Sequence, residues 1–281
     1  MQGAELPDQE EPAERPRPDG AEEVLPALRQ AHRPSRDPLT SGSSAPTGSR
    51  PDREPVVLLA HGSRHPQGVA SIERLRDAVA ARSGRSVHAA YLDLNQPDLT
   101  AAARQIVAAG HRRAVVVPLL FTPAFHARTD APATLTAARA ATGLDLRRAD
   151  ILGTPDALLP VLMEAARSAG IPDTGELLLA SVGSSRPEAN AEVADLAERL
   201  AALRGAPVRA AFATCAPRVS DLVAELGCAG VLALFVGHGL LLDKVRAAAA
   251  ERGLPTSQPL EDKLVPLVLE RTTAVPHATT N

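Results

Sequence analysis

From Pro55 onward, apolar residues follow two patterns that take turns along the chain. A run of five, VVLLA at 56–60, is followed by Val69, Ile72, Leu75 and Val79, which lie three or four residues apart. A short apolar run bounded by turn residues is typical of a buried strand, and the wider spacing is typical of an amphipathic helix. Strands and helices that alternate in this way predict parallel sheets with crossover helices on both faces.

The same patterns recur through the first half of this region. Further strands are predicted at about 87–92, 114–117 and 146–151, with helices after Asp98 and from about Pro155. The carboxyl ends of parallel strands meet at one edge of a sheet, and ligands bind there. We therefore look for functional residues just after these strands.

The second half repeats the first. Residues 177–201 align with residues 56–80 at a constant offset of 121, which places Gly183 on Gly62 and Ser184 on Ser63. A long internal repeat indicates a duplicated domain. The predicted fold class is therefore α/β, with two duplicated domains at 55–172 and 173–272. Each is a parallel βα sheet with helices on both faces, and the active-site cleft lies between them.

The two ends of the chain differ from this core region. Residues 1–54 contain nine prolines, many charged residues and no aromatic residue. Such a composition cannot bury enough apolar surface to offset the entropy lost on ordering. We predict a disordered, Pro-rich extension at 1–54 and a short tail at 273–281.

Composition excludes several classes of protein. The formal net charge is −3, which gives no general attraction to nucleic acid or to an anionic membrane. No apolar run approaches the length that spans a bilayer, and the N-terminus has no signal-peptide pattern. Cys215 and Cys228 are too few and too widely spaced for a disulfide framework or a CxxC site. We expect a cytoplasmic protein that binds neither nucleic acid nor membrane.

Two histidines distinguish the halves. His61 follows the first predicted strand and His126 follows the third, whereas the aligned positions in the second half are Val182 and Leu241. If the two strands are neighbours, both imidazoles face one crevice. Neutral imidazoles suit a borderline divalent metal or proton transfer near neutral pH; each histidine alone could equally be an ordinary hydrogen-bonded loop residue. We predict one site, carried by the first half and walled by the second.

The residues around these histidines carry a family resemblance. AHGSRHP at 60–66 together with PLLFTPAFHARTD at 118–130 resembles the sirohydrochlorin chelatases, which insert Fe²⁺ or Co²⁺ into a tetrapyrrole. The resemblance covers about 55–272 and includes the long, tandem arrangement with a degenerate second half. The chain departs from the family at Thr122–Phe125, where a small-residue turn and Tyr are more usual, and at His238–Gly239, where Pro-Gly is usual.

The resemblance implies roles for four residues. His61 and His126 would be the catalytic residues, one holding the metal and the other accepting a pyrrole proton, with the roles unassigned. Arg64 and Arg128, next to them, would bind substrate carboxylates through guanidinium hydrogen bonds. Both arginines could instead be solvated or helix-capping charges.

Four more residues are supporting candidates. Ser63 is expected to shape the loop rather than to react. Asp130 could orient His126 or Arg128 from behind, or could cap the next helix. His65 and His238 are additional metal candidates.

The resemblance implies a lyase reaction without ATP, and the chain contains neither GxxxxGK[ST] nor GxGxxG. The partners are sirohydrochlorin and a divalent metal, which is a substrate, and no cofactor is permanently bound. Fe²⁺ and sirohaem synthesis are slightly favoured over Co²⁺ and cobalamin synthesis. A non-enzymatic tetrapyrrole or metal carrier is the alternative; a histidine phosphatase is disfavoured because Pro66 replaces the glycine its signature needs. A monomer is expected, because the duplication already supplies a pseudo-dimer.

Overall fold

The computed structural model describes residues 53–123, 131–225 and 227–275. These residues all belong to one compact unit, Ser49–Asn281. In the first half the elements are β1 (Val56–Ala60), α1 (Gly68–Ser83), β2 (Val87–Tyr91), α2 (Leu99–Ala108), β3 (Arg113–Pro118), α3 (Ala131–Thr142), β4 (Asp145–Arg148) and α4 (Leu158–Ser168).

The second half repeats this order with one strand fewer. Its elements are β5 (Glu176–Ser181), α5 (Pro187–Arg204), β6 (Val208–Phe212), α6 (Val219–Glu225), β7 (Cys228–Ala233), α7 (Leu240–Ala250), a 3-10 helix (Glu261–Leu264) and α8 (Val265–Thr273). In place of a counterpart to β4, Thr256 forms a single bridge to Val231.

Each half is built on a parallel sheet. The strand orders are β2-β1-β3-β4 and β6-β5-β7, and every pairing is parallel. The first strand of each half is therefore central and buried on both faces, which explains the apolar runs VVLLA in β1 and LLLA in β5. The predicted α/β fold of two duplicated parallel sheets is confirmed. β4 ends at Arg148, three residues before the end that the pattern predicts.

The last helix of each half packs against the other half. α4 contacts α5 and β7, whereas α8 contacts α1 and β3. Arg271 on α8 donates hydrogen bonds of 2.8 Å to the carbonyl oxygens of Ile151 and Leu152, and Arg199 on α5 donates to the carbonyl of Thr154 at 2.7 Å. The halves thus exchange helices as well as sharing a surface.

The hydrophobic core follows from this exchange. One cluster of buried side chains includes residues from both sheets and from α1, α4, α5 and α8. Each sheet also has a smaller cluster of buried side chains on its outer face, so that each half contains one such cluster. Cys215 and Cys228 are both free thiols, and burial raises the pKa of Cys228. Among the described helices, none combines the length and apolar character that a membrane crossing requires.

Candidate functional site

A cleft of about 740 Å³ lies between the two halves, at the carboxyl ends of their strands. We call it the central cleft. It is lined by the loops that follow β1 and β3 in the first half and β5 and β7 in the second. A cleft therefore lies where the duplication predicts the site, and its role as the active site stays a prediction.

His61 is the first residue after β1 and lines the central cleft, where it is partly buried. Its backbone carbonyl accepts a hydrogen bond of 3.0 Å from the Asp93 amide, so the loop after β2 holds it in place. The Asp93 side chain is exposed, and its Oδ1 accepts from the Leu94 amide at 2.7 Å. The first sheet and the loop after β2 therefore hold His61 at the carboxyl edge of the sheet.

Gly62 allows the two loops to approach each other. Its φ is +103°, and a Cβ placed there would lie 2.0 Å from the carbonyl oxygen of Asp93. Any other residue would both adopt a left-handed conformation and collide with this backbone. The glycine after His61 is thus required by the local geometry.

Ser63 is held by a side chain that sequence reasoning missed. The Ser63 amide donates to Oδ1 of Asn95 at 2.6 Å, and the Ser63 hydroxyl accepts from the His65 amide at 3.1 Å. The hydroxyl therefore shapes the loop, as its predicted structural role requires. The signal for Asn95 was the polar sequence that follows β2, but nothing in that sequence identified its partner.

Arg64 is exposed and lines the central cleft. It forms no ion pair with any residue in the described part of the chain. Its guanidinium group is therefore available for a carboxylate of a ligand in the cleft. The other predicted residues, His126, Arg128 and Asp130, lie outside the described residues.

The second-half wall of the cleft presents apolar side chains to solvent. Val182, which occupies the position aligned with His61, and Leu240, the first residue of α7, are both exposed and both line the cleft. Leu94 of the first half adds a third exposed apolar side chain at the same cleft. The cleft therefore combines an imidazole and a guanidinium on its first-half wall with exposed apolar side chains on both walls.

His65 and His238 meet across the two halves. Their rings are stacked, with centroids 5.9 Å apart and planes inclined by 17°. His65 Nδ1 accepts from the Gln67 amide at 3.1 Å, so the neutral ring carries its proton on Nε2, which lies 3.2 Å from Oδ2 of Asp243. Both nitrogens of His65 are therefore occupied by protein groups.

His238 is held in a similar way. Its Nδ1 accepts from Nη1 of Arg246 at 3.3 Å, its Nε2 lies 3.6 Å from Oε1 of Glu261, and its amide donates to the Ser71 hydroxyl at 3.0 Å. Burial, together with the charge of Arg246, lowers the pKa of His238, despite the opposing effect of Glu261. The contact with Glu261 therefore joins a neutral imidazole to a carboxylate at neutral pH. This geometry favours a structural role for both rings; their metal-binding role stays a prediction.

Glu261 anchors the second half to α1. It accepts hydrogen bonds from Arg74 at 2.6 Å and 3.0 Å and from the Ser71 hydroxyl at 2.8 Å. Burial alone would raise the pKa of Glu261, but these hydrogen bonds and the charge of Arg74 lower it overall. Glu261 has a φ of 44°, so this contact is made from an unusual backbone conformation.

The described residues include no group of three or more His, Cys, Asp or Glu side chains arranged to hold a metal ion.

Comparison with known proteins identifies relatives over most of the described chain. The model of the CbiX family matches residues 55–169 and 176–258, one segment in each half. A sirohydrochlorin cobaltochelatase from Methanococcus maripaludis is 26% identical over 80 residues, which are 28% of this chain and 56% of that protein. The chain spans about half the length of the curated relatives it matches.

Solved structures show the same fold. The sirohydrochlorin chelatase SirB from Bacillus subtilis subspecies spizizenii, in complex with cobalt, superimposes with a TM-score of 0.66 at 18% identity and covers 78% of this chain and 94% of its own. CbiX, described as the terminal enzyme of siroheme biosynthesis in denitrifying bacteria, has a TM-score of 0.62 at 24% identity and covers 80% of this chain and 100% of its own.

Proposed function

This chain belongs to the CbiX family, and we propose that it inserts a divalent metal ion into sirohydrochlorin without nucleotide hydrolysis. The observation that carries the proposal is the mixed lining of the central cleft. His61 and Arg64 line its first-half wall, and the exposed apolar side chains of Val182 and Leu240 line its second-half wall together with polar residues such as His238. A flat macrocycle with carboxylates around its edge needs both kinds of surface.

The proposed reaction replaces the two inner protons of the macrocycle by one metal ion. An imidazole can bind the incoming ion, and an imidazole can accept a pyrrole proton near neutral pH. We propose His61 and His126 for these two tasks. Because the metal is a substrate, the site must release it to the macrocycle.

Substrate binding follows from the charges around the cleft. Arg64 can form paired hydrogen bonds with a carboxylate of the substrate, and we propose the same role for Arg128. The exposed apolar side chains opposite can pack against the face of the macrocycle, which removes apolar surface from water. Asp130 is proposed to orient His126 or Arg128.

We propose Fe²⁺ as the favoured metal, with sirohaem as the product. Co²⁺ is the second candidate, and the name of the curated relative favours it. Imidazole ligands accept both ions, and their order of affinity does not decide which ion is used. We further propose that the chain works as a monomer in the cytoplasm, with its two halves acting as an internal pair.

Anaerobic metal insertion into sirohydrochlorin tests the proposal, followed through the absorbance change of the macrocycle with Fe²⁺ and Co²⁺ in separate reactions. We expect His61→Ala to lower the rate by about 10²-fold or more, the range of acid–base catalysis. His88→Ala is the matched control, because it removes a half-buried imidazole on β2 that does not line the cleft. Tight tetrapyrrole binding without acceleration by any divalent metal would show a carrier and would overturn the enzyme.

The apolar wall can be tested with matched pairs from the same chain. Val182 and Val107 are 42% and 41% exposed, and Leu240 and Leu203 are 53% and 56% exposed, but only the first of each pair lines the cleft. We expect Val182→Thr and Leu240→Ser to weaken sirohydrochlorin binding, and Val107→Thr and Leu203→Ser to leave it unchanged. Equal effects within each pair would exclude the wall as a binding surface.

A further inference from the structure

Tyr91 carries a hydroxyl group that nothing in the described protein satisfies. It is the chain's single tyrosine and the last residue of β2, and it lines the central cleft while only 2% of its surface is exposed. Its hydroxyl oxygen is buried and has no hydrogen-bond partner among the described residues. A buried, unpaired polar group costs about 1–3 kcal/mol, so its presence calls for an explanation.

The second half shows that the fold does not need this hydroxyl. Tyr91 pairs in register with Ala60, and Phe212 pairs in the same way with Ser181, 121 residues later. Phe212 is as deeply buried, at 3%, and it does not line the central cleft. An aromatic ring at this position therefore serves packing in both halves, whereas the hydroxyl occurs only in the half that carries His61.

The hydroxyl is suited to donate a hydrogen bond to an anion. Burial raises the pKa of Tyr91, against a small opposing effect of Arg76, so the group stays protonated across the physiological range. Ile72, Leu119 and Phe121 belong to the same buried cluster as Tyr91 and also line the cleft, and none of their side chains offers a donor. A carboxylate that reached this part of the cleft would lose water and would need a donor from the protein.

The proposed substrate brings such a carboxylate. A flat macrocycle that enters a cleft edge first carries the acidic groups of its perimeter ahead of the ring. Tyr91 lies opposite Ala60 in the sheet, and Ala60 immediately precedes His61. A contact between the substrate and Tyr91 would therefore set the position of the macrocycle relative to the His61 imidazole.

We propose that the Tyr91 hydroxyl donates a hydrogen bond to one carboxylate of the bound tetrapyrrole and thereby positions the macrocycle relative to His61. This inference rests on the proposed function, because it takes sirohydrochlorin as the ligand. It assigns Tyr91 to substrate binding and positioning rather than to proton transfer.

Tyr91→Phe tests the proposal, because it installs the residue that the second half uses at the same position. We expect the free variant to be as stable as the wild type or more stable, since an unpaired buried hydroxyl is removed. We expect the dissociation constant for sirohydrochlorin to rise about 10-fold, as for a lost hydrogen bond to a charged group. Phe212→Tyr is the matched control: it adds a buried hydroxyl away from the cleft and should lower stability without changing affinity.

Thermal unfolding, sirohydrochlorin binding and steady-state rates are measured on all three proteins. A higher KM and weaker binding in Tyr91→Phe, without loss of stability, support the proposal. Unchanged binding, KM and kcat in a wild-type background that inserts metal would overturn the role of Tyr91 and leave the function standing. A large loss of stability in the free variant would also overturn it, because the hydroxyl would then have a partner within the protein. Absence of tetrapyrrole binding in the wild type would overturn both.

Discussion

The loops that follow β1 and β5 have the same shape and different chemistry. Gly62 and Gly183 both have a positive φ, and in both loops the following serine amide donates to an asparagine side chain. The acceptor for Ser63 is Asn95, from the loop after β2, whereas the acceptor for Ser184 is Asn190, from α5. Both loops therefore use a side-chain amide oxygen at this point, but different elements of the fold supply it.

The residue before each glycine differs between the two loops although the loop geometry is the same. His61 stands in the first half and Val182 in the second, at the same place on equivalent sheets. The comparison teaches that the loop geometry is a property of the fold, and that the functional side chain is an addition to it. The duplicated half thus serves as a natural control for the first.

Replacement of the glycines should separate the two loops most strongly. Gly62→Ala places a Cβ 2.0 Å from the backbone oxygen of Asp93, whereas Gly183→Ala meets the side chains of Cys215 and Phe212 at 2.8 Å. Backbone has less freedom to move than side chains, so we expect Gly62→Ala to cost more than about 3 kcal/mol and Gly183→Ala roughly half as much. Denaturant unfolding measures both, and a larger cost at Gly183 would contradict the comparison.

Removal of the asparagines should be the next largest effect. Asn95→Ala and Asn190→Ala each leave a partly buried serine amide without its acceptor, at about 1–3 kcal/mol of unfolding free energy. Metal insertion should fall in Asn95→Ala, because Asn95 holds the loop that carries His61, and should fall much less in Asn190→Ala. Equal losses of activity would show that both loops contribute equally to the reaction.

The helix caps offer a smaller contrast. Asp98 caps α2 by accepting a hydrogen bond of 2.7 Å from the Ala101 amide, and α2 has ten residues. Arg218 stands at the corresponding position before α6, which has seven residues. Asp98→Ala should cost about 1 kcal/mol, and Arg218→Asp should gain up to a similar amount because it supplies the missing cap. Thermal unfolding of the two variants measures the effect, and destabilisation by Arg218→Asp would be the unexpected result.

The smallest effect on stability should come from replacing Glu261, which pairs with Arg74 and joins the two halves. Glu164, which pairs with Arg167 within α4, is the residue for comparison. The folded state lowers the pKa of Glu261. The contribution of Glu261 to the free energy of unfolding is therefore complete when the pH is above the ordinary carboxyl pKa, and it is lost as the pH falls through the lowered pKa. We expect Glu261→Gln to cost less than about 1 kcal/mol at pH 7, because Arg74 is half exposed, and to cost less as the pH falls through the lowered pKa of Glu261.

Urea unfolding across this pH range measures the dependence. Glu164→Gln is the control and should show no measurable change, because both partners are well exposed. A cost for Glu261→Gln that grew on acidification would mean that the sign assigned to its pKa shift is wrong.

The sequence predicted the sheets well because their signal is local. Apolar runs located β1, β2 and β3 within a few residues, and the constant offset of 121 predicted the second half. The contacts across the cleft were beyond this reasoning. His65 with His238, and Arg74 with Glu261, join residues more than 170 positions apart, and no periodicity relates them. Asn95 was missed for a similar reason, since its role depends on how closely two loops approach.

The exchange of α4 and α8 between the halves bears on how the chain can be divided. A cut between residues 172 and 173 follows the repeat, yet it would leave each fragment with a helix whose apolar face had lost its sheet. Leu158 and Leu162 of α4 and Leu267 and Val268 of α8 would all become exposed. We expect the two fragments to be aggregation-prone when made separately and to recover structure when made together, so that folding of one half depends on complementation by the other.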